Sequence, residues 1–389
     1  MRPSRNPTKA VLGDLAGAAK SWSIRDLIFQ SVMARDAFGL GVQTMLQATD
    51  INAGRVMRVG VVGVGVMGAN HARVLAELPG VELAGVADPD RKQAHLVGGT
   101  LSCPALASIE ELLDCGVDAV TIAAPTHLHR DIALACIARG VHVLVEKPIA
   151  STVEEGEDII RAARRSGLTL MIGHVERFNP AVQAIGEAIR SEDILSIAIT
   201  RVGPFPPRMS NVGVVIDLAV HDIDLICWFT RSKIVEVQPQ LSNAVAERED
   251  IALLQFRTAS GVLAQINTNW LTPFKTRTVH IATRKKYLIG DLLTRQVTEC
   301  FGFQPDGSYS MRHLSVGHAE PLRSELMAFV EAIRQGIPPP VTGEDGVASL
   351  AVAIQCLDGR ADAATAPKSA PYIEAVPGGR RARAAFAGS

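Results

Sequence analysis

Met57-Arg58-Val59-Gly60-Val61-Val62-Gly63-Val64-Gly65-Val66-Met67-Gly68 is the stretch on which the fold turns: an apolar run ending in glycines spaced G-x-G-x-x-G. The run reads as a buried strand, and each glycine answers a steric demand. Gly63 permits a tight turn, Gly65 lets backbone approach a pyrophosphate with no Cβ in the way, and Gly68 allows the following helix to pack closely on the strand. The phosphates then sit over Val66 and Met67 at that helix's N-terminus, where N–H groups are free and the dipole favours negative charge. Glycine-rich turns are common, so the motif alone distinguishes little; its surroundings carry the reading. A helical pattern (His71, Leu75, Leu78) follows, and Val81 to Ala87 is a second strand closed by Asp88, twenty residues past Gly68. An acid there accepts hydrogen bonds from ribose hydroxyls and repels a 2′-phosphate, which favours NAD; Arg91, three residues on, keeps NADP open.

Outward from this unit, strand-like and helix-like segments alternate to about Gly173. Val117 to Ala123, Val141 to Val145 and Thr169 to Ile172 are apolar and β-branched, separated by helical patterns at Ile109 to Leu113, Leu128 to Arg139 and Val153 to Ser166. That alternation predicts a parallel sheet with helices on both faces, a dinucleotide-binding domain over residues 57–174. Beyond Val175 the pattern changes: a helix (Ala181 to Arg190), a strand (Leu195 to Val202), a helix across Ile216 to Phe229, then strands at Ile234 to Val245, Ile251 to Arg257, Gly261 to Trp270, Thr276 to Thr283 and Lys286 to Gly290. Strands joined by short turns imply a mostly antiparallel sheet, hence a second, α+β domain over residues 175–360, closed by helices at about Leu322 to Arg334 and Gly346 to Leu357.

The chain has 389 residues, 47% hydrophobic and 20% charged, enough for two well-buried cores. A net charge of −1 without a long basic block argues against nucleic acid or an anionic membrane as partner, and the apolar runs are too short to span a bilayer. The six cysteines show no CxxC spacing, which argues against a zinc site or a disulfide framework and suits a reducing cytosol. Residues 1–56 lack the pattern of a secretory signal; Ile24 to Ala34 fits an amphipathic helix, and Met57 sits where a dinucleotide-binding fold would begin. That segment reads as an appended helical arm or an over-extended reading frame. The tail from about Ala361, rich in Ala, Pro, Gly and Arg, reads as loosely ordered.

Two further constellations carry chemistry. Glu146-Lys147-Pro148 ends the strand Val141 to Val145 at the carboxyl edge, where α/β folds place ligands. Pro148 keeps Lys147 extended, so the lysine stands at the sheet edge; the bland alternative is a surface lysine. Asp217 and His221 lie four apart on an otherwise apolar helix and share one face. With no third ligand nearby they do not suggest a metal, and the bland alternative is a structural His–Asp pair.

Together these motifs resemble the Gfo/Idh/MocA family of NAD(P)-dependent oxidoreductases, over about Met57 to Leu357. The resemblance implies a Rossmann domain followed by an open antiparallel sheet that lines a sugar site and often forms the interface of a homodimer or homotetramer. It implies that Lys147, Asp217 and His221 converge beside the nicotinamide, and that Pro125, Thr126, His129 and Glu146 lie along the cofactor. Four stretches look like the UDP-N-acetylglucosamine 3-dehydrogenase branch: Gly173 to Pro180, Arg201 to Pro204, Asp217 to Asp224, and Asn269 to Arg277. Enzymes of that branch oxidise the C3 hydroxyl to a ketone, which an aminotransferase can consume. Arg177, Arg201, Arg208, Lys275 and Arg277 are the candidate substrate contacts; forked cationic donors suit a diphosphate, although most strand-borne Arg and Lys are solvated.

Oxidising a secondary alcohol requires a base for the hydroxyl proton while hydride leaves carbon. His221 is suited to that proton at physiological pH, Lys147 to stabilising the oxygen or itself serving as base, and Asp217 to orienting the substrate. The alternatives are an inositol or free-sugar dehydrogenase and, from another class, a non-catalytic NAD-binding sensor, which would have no need of proton-transfer groups.

Overall fold

The computed structural model describes residues 55–206 and 212–359. The helix expected at Ile24 to Ala34, the arm at residues 1–56 up to Gly54, and the whole of the tail from Ala361 lie outside the described residues, as does Arg208. Among the described residues no helix is long and apolar enough to cross a membrane.

Six parallel strands form the first sheet: β1 (Met57–Val62), β2 (Val81–Ala87), β3 (Ala105–Leu106), β4 (Ala119–Ile122), β5 (His142–Glu146) and β6 (Leu170–Gly173). They are ordered β3-β2-β1-β4-β5-β6. The strand order reverses between β1 and β4, so a crevice opens there at the carboxyl ends of the strands. Five helices cross between the strands: α1 (Val66–Glu77), α2 (Arg91–Leu101), α3 (Ile109–Asp114), α4 (His129–Ala138) and α5 (Val153–Ser166). Their ends follow local chemistry. The Thr152 hydroxyl accepts the Glu155 N–H to open α5, and Gly167, in the left-handed region at φ 65°, closes it. β4 and all but the first residue of β5 are buried, as expected for strands covered on both faces.

The second sheet has eight strands in the order β14-β13-β12-β11-β7-β10-β9-β8. They are β7 (Ile194–Pro204), β8 (Ile234–Ser242), β9 (Ile251–Thr258), β10 (Leu263–Asn269), β11 (Leu271–Thr283), β12 (Lys286–Asp291), β13 (Gln296–Phe301) and β14 (Ser310–His313). Every pairing is antiparallel except β7 with β10. β9 alternates buried and exposed residues, as a sheet with one wet face requires. The buried face packs with α6 (Pro180–Ala188) and α7 (Val220–Thr230). The open face leaves Val235, Leu253, Leu263 and Ile289 exposed. β13 and β14 have no counterpart in the sequence reading, because their short, polar segments carry little apolar alternation.

The last two helices, α8 (Pro321–Gln335) and α9 (Gly343–Asp358), return to the start of the fold. Leu322, Leu326, Phe329 and Val330 of α8 join the core of the first sheet, whereas Val352, Ala353 and Cys356 of α9 join that of the second. α8 thus supplies a wall to the unit that holds the glycine motif.

Candidate active site

The three motif glycines turn out to serve different ends. Gly63 has φ 79°, and a Cβ there would fall 2.7 Å from the Ala124 backbone, because the loops after β1 and β4 touch at the switch point. A Cβ on Gly68 would lie 1.7 Å from the Gly63 carbonyl oxygen, so α1 can approach the loop only without one. At Gly65 a Cβ would meet nothing within 4 Å. No neighbour in the chain demands that glycine, and the open space beside it leaves room for a ligand on the loop. Gly65 is also the N-cap of α1 and offers no side-chain cap to the first-turn N–H groups, while Val66 beside it is 72% exposed and Met67 is exposed too. The arrangement fits a dinucleotide pyrophosphate.

Asp88, at the end of β2, accepts the Val64 N–H at 2.8 Å and the Asp90 N–H at 2.9 Å. The carboxylate therefore shapes the glycine loop. Arg91 opens α2 and is exposed. Pro125 and Thr126 form the turn after β4 and line a cleft of about 650 Å³ shared with Lys147, Pro148, Ile216 and Asp217.

Lys147 follows β5, with a cis bond to Pro148. Its Nζ donates to the Asp217 carbonyl at 2.8 Å and lies 3.4 Å from the Asp217 carboxylate, with side chains 16% and 23% exposed respectively. Asp217 lies in a wide π-type turn, Val215–Ala219, that runs directly into α7, where the sequence pattern had suggested one uninterrupted helix. His221 follows in the first turn of α7 but is not in the wall of this cleft. Its Nδ1 is buried without a partner, and its ring meets that of His174 edge-on at 6.3 Å. Burial, reinforced by the positive charges of Lys147, Arg201 and Arg277, holds the imidazole well below its ordinary 6.5. It is therefore neutral at physiological pH.

Four of the residues expected at a ligand are engaged inside the protein. His129 is buried, with Nε2 2.8 Å from the Ala124 carbonyl and Nδ1 3.0 Å from that of Pro148, and it joins the two loops. Glu146 is also buried, its Oε1 2.9 Å from His71 Nε2 and its Oε2 accepting the Lys147 N–H at 3.1 Å. Arg177 grips the Asp224 carboxylate through Nε at 2.8 Å and a terminal nitrogen at 2.6 Å, and reaches Asp345 at 3.2 Å. Arg201 makes a two-pronged contact with Asp222 and donates to Glu176 at 2.8 Å. Burial works against the Arg201 charge, but Asp222 and Glu176 outweigh it and raise its pKa. Arg177 and Arg201, expected at the substrate, are both buried and paired with acids that the linear sequence keeps apart from them.

Arg277 differs. One terminal nitrogen donates to Glu176 at 3.0 Å, yet its side chain stays 34% exposed. Burial and the adjacent Arg201 charge lower its pKa, with Asp217 among the acids opposing them. Lys275, on the same strand, is exposed. The sequence reading missed His71 and Glu325, which surround Glu146: donor atoms of the three lie within 4.8 Å of one another, all buried. His71 falls on the inward face of α1 with Leu75 and reads there as one more core position. Glu325 carried no signal, being one acid in an amphipathic helix.

Comparison with known proteins agrees with this arrangement. Residues 57–174 match the oxidoreductase family with an NAD-binding Rossmann fold (GFO/IDH/MocA), and residues 195–289 match the GFO/IDH/MocA C-terminal domain. The chain is 32% identical over 303 residues to UDP-N-acetylglucosamine 3-dehydrogenase of Acidithiobacillus ferrooxidans, covering 77% of this chain and 96% of that protein. It is 30% identical over 331 residues to inositol 2-dehydrogenase 2 of Saccharopolyspora erythraea, covering 80% and 95%. The solved structure of UDP-N-acetylglucosamine 3-dehydrogenase GnnA from Acidithiobacillus ferrooxidans superposes with a TM-score of 0.74 at 30% identity, over 78% of this chain and 97% of that one. With the glycine cradle at the switch point and Lys147 beside Asp217 at the strand ends, the chain belongs to the Gfo/Idh/MocA family of nicotinamide-dinucleotide-dependent oxidoreductases acting on CH–OH groups.

Proposed function

We propose that this enzyme oxidises the C3 hydroxyl of UDP-N-acetylglucosamine to a ketone with NAD as acceptor. The observation that carries the reading is the meeting of Lys147 with Asp217 at the mouth of the cleft that also contains Pro125 and Thr126. With its pyrophosphate in the glycine cradle, NAD would supply the hydride acceptor through its nicotinamide ring. His221, one helical turn beyond Asp217 and neutral because burial and nearby cations disfavour its charged form, is assigned the hydroxyl proton, which requires the substrate to reach past the cleft wall to its ring. Lys147 donates a hydrogen bond to the same oxygen and stabilises its developing charge, while its present contact with Asp217 holds the ammonium in place. Asp217 accepts from a neighbouring substrate hydroxyl. Arg277 and Lys275 are the cations of β11 left for a diphosphate, Arg177 and Arg201 being engaged elsewhere. Asp88 supports NAD, since a carboxylate repels a 2′-phosphate.

The substrate reading draws on the 32% identity to the nucleotide-sugar dehydrogenase over 96% of its length. A polyol is the second reading, supported by the 30% identity to an inositol dehydrogenase and by the withdrawal of two arginines from the site. NADH absorbance with UDP-N-acetylglucosamine, myo-inositol and free N-acetylglucosamine separates them. We expect turnover with the first alone, accompanied by loss of two hydrogens in the mass of the sugar nucleotide. Turnover confined to myo-inositol would replace the first reading with the second, and faster turnover with NADP would remove the assigned cofactor preference. We place subunit contacts on the open face of the second sheet, around Leu253 and Leu263; light scattering that returns a monomer would remove that assignment.

A further inference from the structure

Glu325 lies fully buried on α8, and neither of its carboxyl oxygens has a hydrogen-bond partner. It sits in one cluster with Glu146 and His71, donor atoms within 4.8 Å of one another. Two carboxylates that close in a dry site do not both ionise. The partners decide which one does: Glu146 has the His71 ring and the Lys147 N–H, whereas Glu325 has nothing to balance a charge. Helix α8 is tied to α1 on the solvent side by Arg73 with Glu320 and Arg323 with Glu77. On the turn Val175–Phe178, which also packs on α8, Glu176 is directed at Arg201 and Arg277, and Arg177 at Asp224 and Asp345.

We propose that Glu325 is a positioning residue for Lys147: as a neutral, protonated acid it lets Glu146 remain the single anion that anchors the Lys147 backbone, and losing its proton displaces the lysine. The chain of contact runs from Glu325 to Glu146, through Oε2 to the Lys147 N–H, and from Lys147 Nζ to the Asp217 carbonyl. The other Glu146 oxygen, through His71, ties the same anion to the helix that receives the cofactor phosphates. Burial and the Glu146 charge push the Glu325 carboxyl well above its usual range, while burial of Glu146 is outweighed by His71 and Lys147, which leave it below. The proposal rests on the assignment of Lys147 to the reaction.

The test compares wild type with Glu325→Gln and Glu325→Met, both neutral at every pH, and with Lys147→Met as control. With UDP-N-acetylglucosamine and NAD, wild-type kcat should fall at alkaline pH by about tenfold per unit once Glu325 ionises. Both Glu325 variants should lack that fall while keeping the acid limb and cofactor KM, and Glu325→Gln should match wild type at about pH 6 to within roughly threefold. Independently of activity, hydrogen exchange at the Lys147 amide, followed from about pH 6 to about pH 10, should quicken in wild type relative to Glu325→Gln as pH rises. Superimposable kcat profiles, equal exchange across that range, or one equivalent of a divalent metal in wild type that Glu325→Gln loses would each overturn the proposal. Wild-type turnover in Lys147→Met would instead reject the role of Lys147, leaving the exchange ratio to judge Glu325 by itself.

Discussion

The cofactor side and the substrate side of this site are built by different means. The cradle after β1 is made of backbone: a positive φ at Gly63, a helix pressed on that loop at Gly68, an open position at Gly65 and uncapped N–H groups at the start of α1. The substrate side is made of charged side chains that interlock, with Arg201 between Asp222 and Glu176, Arg177 between Asp224 and Asp345, and Arg277 sharing Glu176. A backbone site is specified by adjacent residues. A side-chain site depends on which partners arrive from elsewhere, and a buried guanidinium whose charge two acids already balance is a poor anchor for an anionic ligand.

The contrast can be broken or sharpened experimentally. The largest expected effect lies where the two sides meet. Lys147→Ala and His221→Ala should each lower turnover by about 10²- to 10⁴-fold with NAD affinity nearly intact, measured by steady-state rates and fluorescence titration. Wild-type turnover in both would reject the assignment. Because His221 is held below its ordinary value, kcat/KM should stay level through about pH 6.5 and decline only at lower pH. Removing the Lys147 charge should raise the His221 pKa, read from the imidazole resonance; a fall on substitution would contradict the electrostatic account.

Next in size is the division between struts and contacts. Arg201→Ala strands the buried Asp222 and leaves Glu176 with Arg277 as its one cation, and should destabilise the fold by about 3 to 5 kcal/mol in urea titrations. Arg277→Ala, at a partly exposed site, should leave the urea midpoint nearly unchanged and raise KM for the sugar nucleotide by roughly tenfold. An Arg201 variant that keeps its stability but loses substrate affinity would return that arginine to the ligand.

The smallest effect separates two glycines of one motif. Gly68→Ala drives a methyl group into the Gly63 carbonyl and should lower stability by about 1 to 3 kcal/mol. Gly65→Ala finds open space, so its melting temperature should match wild type while NAD binding weakens. Equal loss of stability in both would mean that Gly65 serves the fold and not the ligand.

From the residues alone the glycine loop, the parallel character of the first sheet, the switch to a largely antiparallel second sheet, and Lys147, Asp217 and His221 as candidates were all legible, because each rests on spacing within a few residues. The tertiary structure decided the rest. It set Lys147 on the Asp217 carbonyl across 70 residues, withdrew Arg177 and Arg201 into ion pairs, turned His129 inward, and brought Glu325 to Glu146 from the far end of the chain. The physical reason is range: strand and helix periodicity and backbone sterics act between near neighbours in sequence, whereas charge, burial and hydrogen bonding act between neighbours in space, which only the packed fold defines.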